Sequence, residues 1–188
     1  MSRQLLQRGA LQGSPRMRPS TWFIWHAHRI RRGSRVADPG CGEGRHSVAA
    51  AELGCNVVGI DRDATALATA RRQAAAAGLS VQWLELDLEG EWPALGVFDA
   101  VLVFNYLDRA NMPRILQLVA PGGLLIMETF LEAQREAGWG PTSSAHLLRR
   151  GELARLVAPL TVLHGREALE TVDPEHWRAI ASVVAVKR

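Results

Sequence analysis

The chain has 188 residues, 47% of them hydrophobic, and a formal net charge of +3. That length supports one domain around a single substantial core, and no apolar run reaches the roughly 18 residues of a membrane span. The charge is unevenly placed: Arg3, Arg8, Arg16 and Arg18 lie in the first twenty residues without an acid, so the remainder is near neutral and lacks the broad basic face of a nucleic-acid binder.

Residues 1–19 carry Gly9, Gly13, Pro15 and Pro19, which interrupt any amphipathic helix, and the segment reads as a flexible tail. Its lack of acids also suits a presequence, and Met17 is an alternative start. The folded domain is expected over 20–188. Ser20 is placed to cap a helix from about Thr21 to Ile30 that carries Trp22, Trp25 and His26, with Arg29 in its last turn. Arg29, Arg31, Arg32 and Arg35 form the only other basic cluster.

From Arg35 to Asp61 the chain reads RVADPGCGEGRHSVAAAELGCNVVGID: a strand, a glycine turn, a helix stopped by Gly54, and a β-branched strand ending in an acid. Gly40, Gly42 and Gly44 alternate, as a loop does where backbone approaches a ligand closely. Nicotinamide-dinucleotide proteins share such a unit, but a pyrophosphate at this helix N-terminus would meet Asp38 and Glu43 at a cost of roughly a few kcal/mol each. A ligand bearing an ammonium and a sulfonium there would be favoured by the same acids, with Arg45 or loop N–H groups left for a carboxylate. Cys41, inside the loop, is a small residue tolerated there or a reactive thiol. With Cys55 it makes too few cysteines for a disulfide framework or zinc site, which points to a reducing cytoplasm and to no bound metal.

Asp63 then caps an alanine-rich helix, Ala64 to Ala77, closed by Gly78, with Leu67, Ala70 and Ala74 inward. Val81 to Leu86 is a strand reaching Asp87-Leu88, and Glu89 to Gly96 is a loop. Phe98 to Phe104 is a buried strand that ends in Asn105-Tyr106-Leu107-Asp108, and helix residues run to Val119. Pro121-Gly122-Gly123 turns the chain into a strand from Leu124 to Phe130. Leu131 to Ser144 loses periodicity, and a loop of that length is functional or mobile. Leu147 to Val157 can be helical, and Leu160–Glu170 and Arg178–Val186 are strand-like on either side of Asp173-Pro174.

At Asp38 to Gly44, with the acid of Asp61 behind it, the sequence resembles the class I S-adenosylmethionine (SAM)-dependent methyltransferases. The resemblance runs over residues 20–188; R-H-S after the glycines and G-E-L after the long loop look most like the small bacterial tellurite-resistance type. It implies an α/β fold: one doubly wound, mostly parallel seven-stranded sheet closed by an antiparallel C-terminal pair. It implies SAM as cofactor, with Asp38, Gly40, Cys41, Gly42 and Arg45 around its methionine part, Asp61 and Arg62 at the ribose, and Asp87 and Leu88 at the adenine. Asn105 and Tyr106 would border the reacting methyl as catalytic candidates, with Asn105 also touching cofactor. The family's first helix leans over the crevice, so Trp22, Trp25 or His26 would either wall the site or pack on the sheet. The Asn/Asp-Pro-Pro-Tyr signature of amide and adenine methylation is absent, so the expected acceptor is a small molecule. A nicotinamide oxidoreductase and a non-catalytic SAM-binding protein are the alternatives.

Overall fold

A computed structural model of the chain describes residues 18–188, so the alternative start at Met17 and all of the expected tail but Arg18 and Pro19 lie outside the described residues. Ser20 begins the first element: its hydroxyl accepts from Trp22 N at 3.0 Å and caps α1, Thr21–His26. The helix tightens into a 3-10 turn at Ala27–Arg29 instead of continuing to Ile30. Trp22 is buried and Trp25 is 53% exposed.

Seven strands follow: β1 (Arg35–Pro39), β2 (Asn56–Asp61), β3 (Gln82–Glu85), β4 (Phe98–Phe104), β5 (Val119–Phe130), β6 (Thr161–Thr171) and β7 (Trp177–Val186). They form one sheet in the order β3-β2-β1-β4-β5-β7-β6. The first five are parallel, whereas β7 runs antiparallel to both β5 and β6, with Glu128 opposite Ser182 and Arg166 opposite Ser182 on the other side. The expected mixed seven-stranded sheet is therefore present. Because the strand order reverses between β1 and β4, the helices fall on opposite faces and a crevice opens at the carboxyl ends of those two strands.

Two cores fill the faces. On one, α1 and α2 (Arg45–Glu52) pack Trp22, Phe23, Ala50 and Ala51 against Val36, Ala100, Leu102 and Ile126. On the other, α4 (Met112–Gln117) and α5 (Glu152–Leu156) set Met112, Ile115, Leu153 and Val157 against Val101, Val103, Leu125 and Val183. α3 (Ala64–Ala76) starts at Asp63, whose Oδ1 accepts from Thr65 N at 2.8 Å and Ala66 N at 3.1 Å.

Two glycines of the first unit are required by one side chain. A Cβ on Gly44 would stand 2.6 Å from Trp83 Cη2, and a Cβ on Gly59 would also run into the Trp83 ring. The indole of β3 thereby packs flat on the β1–α2–β2 backbone, a contact that glycine alone permits.

The sheet departs from expectation at its middle and its end. β5 begins at Val119, so Pro121-Gly122-Gly123 lies inside the strand, where a Cβ on Gly123 would meet Ala120 O at 2.9 Å and the pairing with β4 slips between Phe98 and Ala100. The helix expected from Leu147 keeps only Glu152–Leu156. Leu147 and Leu148 are fully buried in extended backbone, and Leu148 bridges Leu131.

Candidate active site

The glycine turn after β1 is built by hydrogen bonds to the end of β2. Gly40 N and Cys41 N both donate to Ile60 O, at 2.8 and 3.0 Å, and Gly42 N donates to Asp61 Oδ2 at 2.7 Å. The loop donors of residues 40–42 are thus directed at β2. Gly40 itself touches the neighbouring strand end: a Cβ there would lie 3.0 Å from Tyr106 Cδ2, and φ is +74°. The β1 turn and the β4 terminus are consequently in van der Waals contact across the switch point.

Over this floor lies a cleft of about 310 Å³, at the small end of ligand sites. Gly40, Asp61, Arg62, Asp87, Leu88, Asn105 and Tyr106 all line it, which brings together residues from the ends of β1, β2, β3 and β4. Asp38, Cys41, Gly42 and Arg45 are not among the lining residues. Leu107 of the Asn105–Asp108 strand end and Pro141 of the long segment after β5 also line it, and Leu86, Glu89, Phe130 and His146, which the sequence did not single out, complete it.

Asp61 divides its carboxylate: Oδ2 accepts from Gly42 N, and Oδ1 from Asp63 N at 2.9 Å. Each oxygen has a further lone pair with no partner among the described residues, and Asp61 lines the cleft. Asp87 turns its own loop, accepting from Glu89 N at 3.0 Å, while Arg62 stands between Asp87 and Glu89 at 3.9 and 3.5 Å. All three are largely exposed, so their attraction is screened and contributes little.

Asp38 is enclosed. Ser47 Oγ donates to it at 2.6 Å, and burial pushes its carboxyl up to about 7, against the opposing pull of Ser47 and then Arg45. It therefore carries only part of a negative charge near neutral pH, which weakens the electrostatic argument that the sequence suggested for it. Burial also drives the Cys41 thiol far above its usual range, with Asp38 and Asp61 adding to the effect, so it is an inert packing residue. Cys55 is likewise buried and free.

Arg45 opens α2 with no ion pair or side-chain hydrogen bond among the described residues. Burial, and next Arg178, lower its pKa. An arginine so placed favours an anion that would replace the missing partner.

Asn105 has φ +57°, the one non-glycine residue with positive φ among the described residues, and its N–H donates to Glu128 O at 2.9 Å. Its neighbour Tyr106 has a buried hydroxyl with no partner among those residues. Burial, with Asp108 next, pushes that phenol up to about 12.

The helix before β1 does not wall the cleft. Trp22 Nε1 donates to Val183 O at 3.2 Å, and His26 stacks edge-on against Trp22 with centroids 4.3 Å apart. Burial, then Arg29, lower His26 to about 4. These residues pack on the sheet. His46 also serves packing: it lies on Phe104 at 3.8 Å, its Nε2 accepts from Ser20 N at 3.0 Å, and burial holds it neutral.

Glu128, at the end of β5, is fully buried and does not line the cleft. Ser20 Oγ and Ser182 Oγ donate to it at 2.7 and 2.8 Å, and Arg166 and Arg178 each approach to 3.4 Å. Glu170 ties the two arginines together at 2.6 Å each. This network joins β5, β6, β7 and α1.

The long segment after β5 is more ordered than its composition implies. Glu132–Ala137 forms a 3-10 helix, and the fully buried Gln134 staples it: Nε2 donates to Trp139 O at 3.0 Å and Oε1 accepts from Ala179 N at 2.8 Å. Pro141 from this stretch and His146 just beyond it border the cleft.

Comparison with known proteins agrees with this geometry. A family described as a methyltransferase domain matches residues 36–123. Ubiquinone biosynthesis O-methyltransferase of Methylocella silvestris is 33% identical over 190 aligned positions, covering 89% of this chain and 71% of that protein. The chain spans about half the length of several other curated relatives. Among solved structures, TehB of Haemophilus influenzae superposes with TM-score 0.69 at 16% identity, over 97% of this chain and 65% of that one. Magnesium protoporphyrin IX methyltransferase of Synechocystis, solved with bound S-adenosylhomocysteine, gives 0.69 at 17% identity over 89% and 80%.

Proposed function

Because the chain belongs to the class I SAM-dependent methyltransferases, we propose that it transfers a methyl group from SAM to a small-molecule acceptor, and that the cleft at the β1–β4 switch point is where it does so. The observation that carries this reading is the set of hydrogen-bond acceptors in the cleft. A nucleoside presents hydroxyl and amino donors, and the carboxylates of Asp61 and Asp87 face the cleft from adjacent strand ends with accepting capacity left over. The unpaired Arg45 at the start of α2 suits the carboxylate of the methionine part.

In this assignment Asp61 and Arg62 hold the ribose, Asp87 and Leu88 the adenine, and Asp38 and the Gly40–Gly42 turn support the methionine end. Bound SAM supplies a methyl on a sulfonium that is already an activated leaving group. What remains for the protein is proximity and orientation, worth several kcal/mol when the reacting atoms are aligned. Asn105 and Tyr106 stand on the β4 side as the residues nearest the transfer, Tyr106 offering a ring wall in contact with Gly40.

The acceptor is read as small because the cleft holds about 310 Å³ and the relatives' names include O-methyltransferases of ubiquinone biosynthesis. Among the described residues, two arginines of the basic cluster are engaged locally, which supports a non-nucleic-acid acceptor: Arg35 bonds Val97 O and covers Phe98, and Arg29 bonds His164. No helix among the described residues is long and apolar enough to cross a membrane, and two unpaired buried cysteines suit a cytoplasmic enzyme.

Titration calorimetry tests the cofactor. S-adenosylhomocysteine is expected to bind saturably and raise the melting temperature, whereas NAD and NADP should do neither. Dinucleotide binding with no response to S-adenosylhomocysteine would move the protein to the oxidoreductase alternative.

A further inference from the structure

The two edges of the sheet are built differently. β3, at one end, has four residues, which gives another chain little to pair with. β6, at the other end, has eleven and pairs on one side only, with β7. Among the described residues no backbone hydrogen bond reaches its outer side. The usual devices that blunt such an edge are largely missing: β6 contains neither lysine nor proline, and its one irregularity lies near its start, between Val162 and His164. From His164 to Thr171 the edge is regular.

Exposed apolar side chains collect there. Of the seven large ones exposed among the described residues, Val162, Leu163 and Leu169 are on β6 and Val172 follows it, with Leu169 exposed by 68%. Trp25 of α1, also exposed, stands beside them, its ring 4.9 Å from the Arg166 guanidinium. β3 has none. On the face that carries Leu169, a groove of about 280 Å³ is walled by Leu131, Ala133 and Leu148, with Glu167 and Leu169 on its β6 side. It shares no lining residue with the cofactor cleft.

We propose that the β6 edge is a homodimer interface, in which β6 of a second copy pairs antiparallel about a two-fold axis at Ala168 and the two sheets continue as one. When a strand pairs with its own copy, opposite residues must share a face, so the axis passes through a residue. Charge selects which one. An axis at Arg166 or Glu167 sets that charge against itself, and one at Gly165 sets Arg166 against His164. An axis at Leu169 pairs no opposite charges. At Ala168, Arg166 falls opposite the partner's Glu170, and no like charges meet. Arg166 and Glu170 of one chain are already paired at 2.6 Å, so the two ion pairs join across the axis. On the other face Leu169 stands opposite the partner's Glu167 and diagonal to the partner's Leu169, so the two leucines cover each other at the mouths of the two grooves.

Sedimentation velocity on the full chain over a range of concentrations is expected to show a species of twice 20.6 kDa. Leu169→Glu sets a carboxylate opposite the partner's Glu167 and beside its own twin. It should raise the dimer Kd by at least about tenfold, with an unchanged circular dichroism spectrum because Leu169 is exposed in the single chain. The register is read by cysteine. Ala168→Cys brings two thiols face to face, their Cβ atoms about 4.5–5.5 Å apart, and should form an intermolecular disulfide on mild oxidation. Leu163→Cys, which falls opposite Asp173, should not, and Cys41 and Cys55 are buried and stay silent. A monomer at every concentration, an unchanged Kd in Leu169→Glu, or failure of Ala168→Cys to crosslink overturns the interface. None of these readouts involves the cofactor, so the methyltransferase reading stands or falls separately.

Discussion

Asp61 and Asp38 are both acids of the glycine-turn unit, and their surroundings give them opposite properties. Asp61 remains at the cleft with lone pairs to offer, so Asp61→Ala should cost charge-assisted hydrogen bonds of about 1.5–3 kcal/mol, roughly 10- to 150-fold in S-adenosylhomocysteine affinity. Part of that loss would come through Gly42 N, which Asp61 also holds. Asp61→Asn keeps an acceptor for Gly42 and isolates the contribution of charge; an unchanged dissociation constant in both variants would place the ribose elsewhere. Asp38 is a matter of stability. Its carboxyl is raised from 3.8 to about 7 on folding, so the folded state binds the proton more tightly than the unfolded one. Its contribution is fully present below pH 3.8 and is lost as pH rises through about 7. His26 works the other way: lowered from 6.5 to about 4, it contributes above 6.5 and that contribution is lost as pH falls through about 4. The two slopes oppose each other over the same window, so total stability conceals both. The difference between Asp38→Asn and wild type in urea unfolding should therefore grow in the variant's favour as pH rises from about 4 to about 7 and then level off; parallel curves would show that Asp38 does not hold its proton.

At the level of elements, the stretch between β5 and β6 shows how side chains organise backbone that has no periodicity of its own. Gln134 reaches from the 3-10 helix to Ala179 N on β7, a buried donor that would otherwise be unpaired. Gln134→Ala should leave that donor unsatisfied at a cost of about 1–3 kcal/mol, and with about 2–4 °C per kcal/mol for a domain of this size the melting temperature should fall by roughly 2–12 °C. Scanning calorimetry measures it, and a shift below 1 °C would mean the staple is dispensable. The sequence marks this segment only by Gly138, Gly140 and Pro141, which signal turns. It does not show that a glutamine six residues before the first turn's end would be the anchor, because the anchor's partner lies 45 positions away. The same distance hides Arg109, whose guanidinium meets Glu152 and the carbonyls around His146 from more than 30 positions upstream.

For the whole molecule, what the sequence by itself determined is the order of strands and helices, the glycine turn, and the acids at the ends of β2 and β3. Those features follow from local chemistry: alternating or continuous apolar runs, an N-cap at Asp63, glycine where φ is positive, and the rule that parallel strands point their carboxyl ends into one crevice. The tertiary structure alone decided three other things. It placed Glu128 in a closed network with two serines and two arginines from α1, β6 and β7. It turned Trp22 and His26 onto the sheet, and it set His146 at the rim of the cleft. The reason is common to all three: burial and charge balance at a site are summed over groups that meet only when the sheet has closed, and a periodic pattern read over ten or twenty residues carries no information about neighbours brought from β5, β6 and β7.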